Sequence, residues 1–241
     1  MEHIEKNYLL DKKVVIYHPK GFYKASSDAV WVASSVSEVK KGDNILDVGS
    51  GGGAISLCLA SRFKDCDINI TGIELQTELT ESSNQSAKAN GFDFLTFNNG
   101  NIFDAKLKNC SYAHVITNPP YSSGDMPSPN TSKATAHNFG FEDLGKWLDF
   151  CIKMIKPRGM FYIINRAEAL EDIISHISGK LGAIEVFPLY SKKGQKAKRV
   201  IIRAKKDSKT PLVIHSPIIV HDENGDYSEK AEQILRFGES I

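Results

Sequence analysis

Short apolar runs alternate with segments of helical spacing along most of this 241-residue chain. Residues 44–48 form the first clear run. After them Ile55, Leu59 and Phe63 recur every four residues, with Leu57 and Ala60 beside them. The run reads as a short buried strand and the periodic stretch, residues 53–63, as a helix. The alternation continues with strands over 68–74, 94–98, 112–117 and 160–164 and helices over 77–90, 141–155 and 167–178. Gly91 marks a stop for the helix over 77–90. Ahead of these, the pattern predicts a strand over 12–18, a turn at Gly21 and a helix over 27–39. Behind them, strands near 182–188 and 197–204, joined by the basic loop 192–196, predict an antiparallel edge hairpin. Residues 212–220 read as one or two strands and 228–237 as a short helix. Alternating strand and helix imply an α/β fold, with a mostly parallel sheet covered on both faces. One domain is expected over 1–241: an extension over 1–40, a core over 41–206 and an appendage over 207–241.

The strand over 44–48 runs into Asp47-Val48-Gly49-Ser50-Gly51-Gly52-Gly53. A strand, a glycine turn and a helix open a nucleotide-binding α/β unit, in which glycine lets the backbone approach a ligand. The helix start supplies free N–H groups. Glu74, at the end of the next strand, suits the two hydroxyls of a ribose. The spacing is G-x-G-x-G with an acid two residues ahead of it, not the G-x-G-x-x-G of a pyrophosphate binder. Asp47 would repel a pyrophosphate and favour a cationic ligand such as S-adenosylmethionine. The bland alternative for a lone glycine turn is a simple connector.

Asn118-Pro119-Pro120-Tyr121 closes the strand over 112–117. The prolines fix the backbone. The Asn118 carboxamide oxygen and the Pro119 carbonyl can accept the two hydrogens of an exocyclic amine, and Tyr121 offers a stacking face. Asn-Pro is also a common turn opener. Open α/β sheets bind ligands outside the carboxyl ends of their strands. Asp47 to Gly53, Glu74, Asn101 and Asn118 all follow strands at that edge.

These motifs resemble the class I S-adenosylmethionine-dependent methyltransferases, and more narrowly the YfiC-type tRNA (adenine-N6)-methyltransferase family. Residues 16–23 and 27–30 resemble that family's N-terminal segment. Ala197, Arg199, Val200, Arg203 and Ala204 resemble its late basic strand, and Tyr227-Ser228-Glu229 its tail. The resemblance implies a Rossmann-like, doubly wound seven-stranded sheet, mostly parallel, with an antiparallel C-terminal hairpin. It implies S-adenosylmethionine held by Asp47, Gly49, Gly51, Gly53, Glu74, Asn101 and Ile102, leaving as S-adenosylhomocysteine, and catalysis by Asn118, Pro119, Pro120 and Tyr121 without a metal. It also implies an RNA substrate, an adenine beside the anticodon of a tRNA. One departure stands out: the family usually carries an acid where Asn101 stands, and Asp104 is a rival for that role. The residues themselves reach only as far as a planar base or amide bearing NH2. N5-methylation of a protein glutamine and N2-methylation of rRNA guanine use similar logic. Only about 43 residues precede the first motif strand, too few for the helical domain usual in the glutamine enzymes. DNA adenine methylation would want a target-recognition domain. A non-catalytic RNA-binding module and an NAD-dependent oxidoreductase are disfavoured by the intact motif residues and the glycine spacing.

Charge sharpens the RNA reading. The chain's net charge is +1, yet residues 192–209 hold nine Lys or Arg against one acid, a surplus of eight, which leaves −7 on the rest. Lys192, Lys193, Lys196, Lys198, Arg199 and Arg203 are the candidate RNA contacts, against the alternative of an edge strand guarded by lysines. No apolar run approaches the ~18 residues of a membrane span, and the charged start lacks a secretory core, so a cytoplasmic protein is expected. The four cysteines form no C-x-x-C pair, and Cys58 and Cys151 fall on apolar helical stretches as core thiols. A loop rich in Ser, Pro, Asn and Thr covers 122–137. His137 behind it is a candidate substrate contact or a surface residue.

Overall fold

The structure, a computed structural model, describes residues 4–22, 26–121 and 141–241, with side chains of the last segment from residue 144 onward. The 122–137 loop, His137 and Tyr23 lie outside them. The elements run β1 (Ile4–Leu9), β2 (Val14–Pro19), α1 (Ser27–Ser34), β3 (Asn44–Val48), α2 (Ala54–Arg62), β4 (Asn69–Glu74), α3 (Thr77–Ala89), β5 (Leu95–Asn99) and β6 (Tyr112–Thr117). Then follow α4 (Phe141–Met154), β7 (Ile155–Arg166), a 3-10 turn (Ala167–Ala169), α5 (Leu170–Ile177), β8 (Leu181–Tyr190), β9 (Ala197–Lys206), β10 (Val213–Ile214), β11 (Ile218–Ile219) and α6 (Glu229–Phe237).

β3 to β9 make the expected seven-stranded core in the order β8-β9-β7-β6-β3-β4-β5. All pairings are parallel except those of β9, which runs antiparallel to both β7 and β8. Two short strands, β10 and β11, add in parallel to the outer side of β8, so the sheet has nine strands among the described residues. Successive side chains of a strand face opposite sides, and two cores result. α1, α2, α3 and α6 cover the Ile45, Ile70, Ile116, Tyr162 and Ile201 face. α4 and α5 cover the Leu46, Val48, Val115, Phe161 and Ile163 face. Cys58 and Cys151 are buried, one in each core.

Three boundaries differ from the sequence pattern. The pattern gives no strand over residues 4–9, because β1 belongs to a separate two-stranded hairpin with β2 and buries little of itself. The helix expected over 27–39 stops at Ser34, where hydroxyls of Ser34 and Ser35 bond back to the Trp31 and Val32 carbonyls. Arg62 then takes the carbonyls of Ala33 and Val36. These partners satisfy the orphan acceptors that a longer helix would have used. The strand expected over 160–164 runs from Ile155 to Arg166, because a register shift against β6 admits Pro157-Arg158-Gly159, with Arg158 at φ +63.

The N-terminal hairpin is docked on α3 by polar bonds. Asn90 accepts from the Val15 N–H at 2.9 Å and donates to its carbonyl at 2.7 Å, and Ser86 Oγ accepts from the Tyr17 N–H at 2.8 Å. This docking brings His18 onto the glycine turn.

Candidate functional site

The glycine turn is tightly built. Gly49, Gly51 and Gly53 take φ of +69, +53 and +79, a left-handed conformation that L side chains rarely adopt. A Cβ on Gly49 would lie 2.6 Å from the Trp147 ring, one on Gly52 would lie 2.9 Å from His18 Nδ1, and one on Gly53 would lie 2.7 Å from Phe97. Over Gly51 there is open space. The turn is thus clamped by rings on its neighbours and clear at its centre. Trp147 is itself held, donating through Nε1 to Thr117 Oγ1 at 2.9 Å, while that hydroxyl donates to the Val48 carbonyl at 2.8 Å.

Glu74 ties the turn to the end of β4. One carboxylate oxygen accepts from the Gly51 N–H at 2.9 Å, and the other from the Gln76 N–H at 2.9 Å. Oε1 also takes a longer bond from the Gln76 side-chain amide at 3.4 Å, and Oε2 keeps a second lone pair for a ligand. Asp47 lies beneath the turn and not on its surface, with no solvent exposure. Its Oδ2 accepts from Ser56 Oγ at 2.7 Å, which braces the first turn of α2. Its Oδ1, like Ser50 Oγ, is buried without a hydrogen-bond partner among the described residues. Burial, reinforced by the neighbouring Glu74 carboxylate, raises the Asp47 pKa to about 7. A cation held above the turn would offset that penalty. The open centre at Gly51, the two orphaned oxygens and the remaining Glu74 Oε2 lone pair fit a polar, positively charged nucleoside such as S-adenosylmethionine.

Asn101 is exposed and serves a turn: its Oδ1 accepts from the Phe103 N–H at 3.0 Å, and its carbonyl from the Asp104 N–H at 3.1 Å. Its carboxamide nitrogen is left for a ligand, while Asp104 is exposed and Ile102 is buried in the α4–α5 core.

Asn118 is half-buried just past the end of β6, between Thr117, which is fully buried, and a buried Pro119. Tyr121 OH lies 2.7 Å from Asp28 Oδ2 and 3.0 Å from Asn118 Oδ1. A phenol has one proton, and the nearer, charged carboxylate takes it. Asn118 therefore keeps its carbonyl lone pairs available. Arg199 Nε also donates to Asp28 Oδ2, at 2.9 Å. Burial and then the Asp28 charge raise the Tyr121 pKa far above the usual phenol range. For Arg199, burial pulls the pKa down, but the hydrogen bond and charge of Asp28 outweigh it, and the net shift is upward.

The Tyr121 ring is not bare. It already carries two guanidinium groups, with the Arg199 and Arg166 carbons 4.9 and 5.5 Å from its centroid. Sequence reading does not find Asp28, Arg166, His18 or Trp147 as site residues. The signals for them are long-range pairings that spacing along the chain does not display.

Strand direction sorts the basic segment. β9 is antiparallel, so its beginning stands at the carboxyl rim, with Arg199 opposite Arg166. Lys192, Lys193, Lys196 and Lys198 share that rim, and Lys192 donates to the Glu223 carbonyl. Lys205, Lys206 and Lys209 lie at the other end of β9. Lys206 donates to the Ile152 and Ile155 carbonyls there. Arg203 is tied to the framework and does not reach out from the rim. Its Nε and Nη2 bond the two Glu185 oxygens at 2.8 and 2.9 Å, and it stacks over Phe187.

Among the described residues no three His, Cys, Asp or Glu side chains gather into a metal-sized cluster, and no helix is long and apolar enough to cross a membrane.

A family model described as a methyltransferase domain matches residues 39–209. The chain is similar to tRNA1(Val) (adenine(37)-N6)-methyltransferases. It is 24% identical to that of Phocaeicola vulgatus, covering 82% of this chain and 83% of the relative. It is 24% identical to that of Actinobacillus succinogenes, covering 93% and 94%. A crystal structure of a predicted O-methyltransferase from Agrobacterium tumefaciens superposes with a TM-score of 0.73 at 22% identity, over 89% of this chain and 98% of that one. The fold is therefore the Rossmann-like one expected. With a glycine turn and Asn-Pro-Pro-Tyr on one rim and a family match over most of its length, the chain belongs to the methyltransferase-domain family.

Proposed function

We propose that this protein transfers a methyl group from S-adenosylmethionine to the exocyclic N6 of an adenine in RNA, most specifically in a tRNA near its anticodon, and that it works in the cytoplasm. The observation that carries the reading is the Asn118 carboxamide. It is clamped by prolines, faces the same rim as the glycine turn, and has its carbonyl oxygen free of the Tyr121 proton. The relatives' names support adenine as the base.

Asp47, the Gly49–Gly53 turn, Glu74 and Asn101 would hold the cofactor, which supplies an electrophilic methyl on a sulfonium. The chain's own work is orientation and charge. Adenine N6 is a weak nucleophile because its lone pair is shared with the ring. Asn118 Oδ1 and the Pro119 carbonyl accept its two hydrogens and favour the pyramidal nitrogen, so they act most strongly in the transition state. Tyr121 is fixed through Asp28 and Arg199, so its ring enters the reaction preorganised. The bound geometry supplies much of the rate. The target base must be unstacked to reach the rim, which an anticodon loop allows at low cost.

Incubation of the protein with methyl-labelled S-adenosylmethionine and unmodified tRNA, followed by nucleoside mass spectrometry, tests this. Label in N6-methyladenosine is expected. Label in N2-methylguanosine, or in glutamine of a protein substrate with none in RNA, would replace the reading.

A further inference from the structure

Arg166 and Arg199 face each other across β7 and β9 and both lean on Tyr121, but their charges are treated differently. Arg199 is neutralised by Asp28 at 2.9 Å. The Arg166 guanidinium makes no hydrogen bond or ion pair among the described residues; only its backbone N–H is engaged, by Asn165 Oδ1 at 2.7 Å. Arg166 is half-buried, so its cation has lost part of its water without gaining an anion. Asp28, the carboxylate bound at Tyr121, is already shared between a phenol and a guanidinium.

A planar guanidinium at the edge of a base-binding site matches a phosphodiester, whose two free oxygens it can bind side by side. Resting on the RNA reading above, we infer that Arg166 binds a phosphate flanking the methylated nucleotide and so sets where the RNA backbone lies when the base enters. The cation–π contact with Tyr121 keeps the guanidinium at the rim and leaves its N–H edge for the anion. Arg166 is a positioning residue: it fixes the substrate strand and does not touch the reacting nitrogen.

The test pairs protein variants with an anticodon stem-loop whose phosphates on either side of the target adenosine are replaced, one at a time, by neutral methylphosphonates. For the intact protein, one of the two replacements should raise KM about tenfold and leave kcat within about twofold. Arg166→Gln should raise KM on the unmodified stem-loop by a similar factor and be indifferent to that replacement, the non-additivity expected of two groups that touch. Arg166→Lys should fall between. A variant as sensitive as the intact protein to the neutral linkage would overturn the inference. So would a loss of S-adenosylmethionine affinity in Arg166→Gln equal to its loss on RNA, since the anion would then be the cofactor's carboxylate. Should Arg166→Gln fail to fold, the linkage series on the intact protein decides: no KM change at either position sinks the proposal. If the intact protein does not methylate the unmodified stem-loop at all, the RNA reading falls and takes this inference with it. Methylation indifferent to both linkages removes the phosphate interaction alone.

Discussion

The Tyr121 hydroxyl donates to Asp28 Oδ2 at 2.7 Å, a bond between the loop after β6 and the first turn of α1. It fixes the ring beside Asn118 without spending Asn118's own acceptor. Tyr121→Phe should therefore lower kcat about tenfold through a looser ring and leave the melting temperature nearly unchanged, because Arg199 still balances Asp28. Arg199→Ala should destabilise the fold by about 2 kcal/mol, because it leaves a largely buried carboxylate without its cation. Denaturant melts of both variants check the contrast, and equal destabilisation would show that the two partners do not differ as described.

Asn118→Ala should cut methyl transfer by about 10²–10³-fold, the usual cost of losing one preorganised group at developing charge. Cofactor affinity by calorimetry should stay within about twofold, since the carboxamide lies past β6 and outside the glycine turn. Parallel losses in both would move Asn118 out of the acceptor site.

Two glycines two residues apart should respond differently to one added methyl. In Gly49→Ala the Cβ meets the Trp147 ring at 2.6 Å, so folding should suffer by about 2 kcal/mol or more. In Gly51→Ala the Cβ points into open space. Only the left-handed strain of about 1 kcal/mol remains there, and the loss should appear as weaker S-adenosylmethionine binding. Thermal melts with and without cofactor separate the two effects.

Asp47 gives a pH dependence of defined sign. Its folded pKa is raised from 3.8 to about 7 by burial and then by Glu74. A carboxyl raised in this way favours the folded state while protonated. That contribution is whole below about pH 4 and is lost as pH rises towards 7. The ligand-free protein should melt lower across that window, and Asp47→Asn should flatten the trend. Binding a cationic cofactor favours the ionised form, so affinity should grow from about pH 6 to pH 8 with release of a proton. Calorimetry in two buffers of different ionisation enthalpy measures that proton, and identical heats would acquit Asp47.

Charge reversal of Lys196 and Lys198 at the rim should weaken tRNA binding and reduce its salt slope by roughly one for each phosphate no longer neutralised. The same reversal of Lys205 and Lys209, at the far end of β9, should leave both quantities near their starting values. A filter-binding salt titration of the two double variants checks the assignment. Equal slopes would mean that strand direction does not decide which lysines meet RNA.

Much of the fold can be read from the chain because its signals are local. Residues 44–48 and 112–117 are short, mostly apolar runs, and both strands occur with those bounds. The glycine turn, Glu74 and Asn118 follow such strands, and the sheet brings them to one rim. What cannot be read depends on pairings between distant segments. Asp28 and Arg199 are 171 residues apart, and nothing near either one marks the other as its partner. The basic segment looks uniform along the chain, but β9 is antiparallel and sends one half to each end of the sheet. β1 is hidden because its side chains stay largely in water, so its apolar signal is weak. The depth of Asp47 beneath the turn is not legible either, because spacing shows order along the chain and not burial within the fold.

The backward course of β9 also has a consequence in time. Tyr121 leaves the ribosome well before Arg199 does, and the sheet must run on through β7 and β8 before the chain returns to supply that guanidinium. Until then Asp28, the anchor of the Tyr121 ring, has no cation to balance it. A nascent chain that already carries both the glycine turn and the Asn-Pro-Pro-Tyr segment thus still lacks the Asp28–Arg199 pair. That pair can close only late in translation, once the reversed strand is in place.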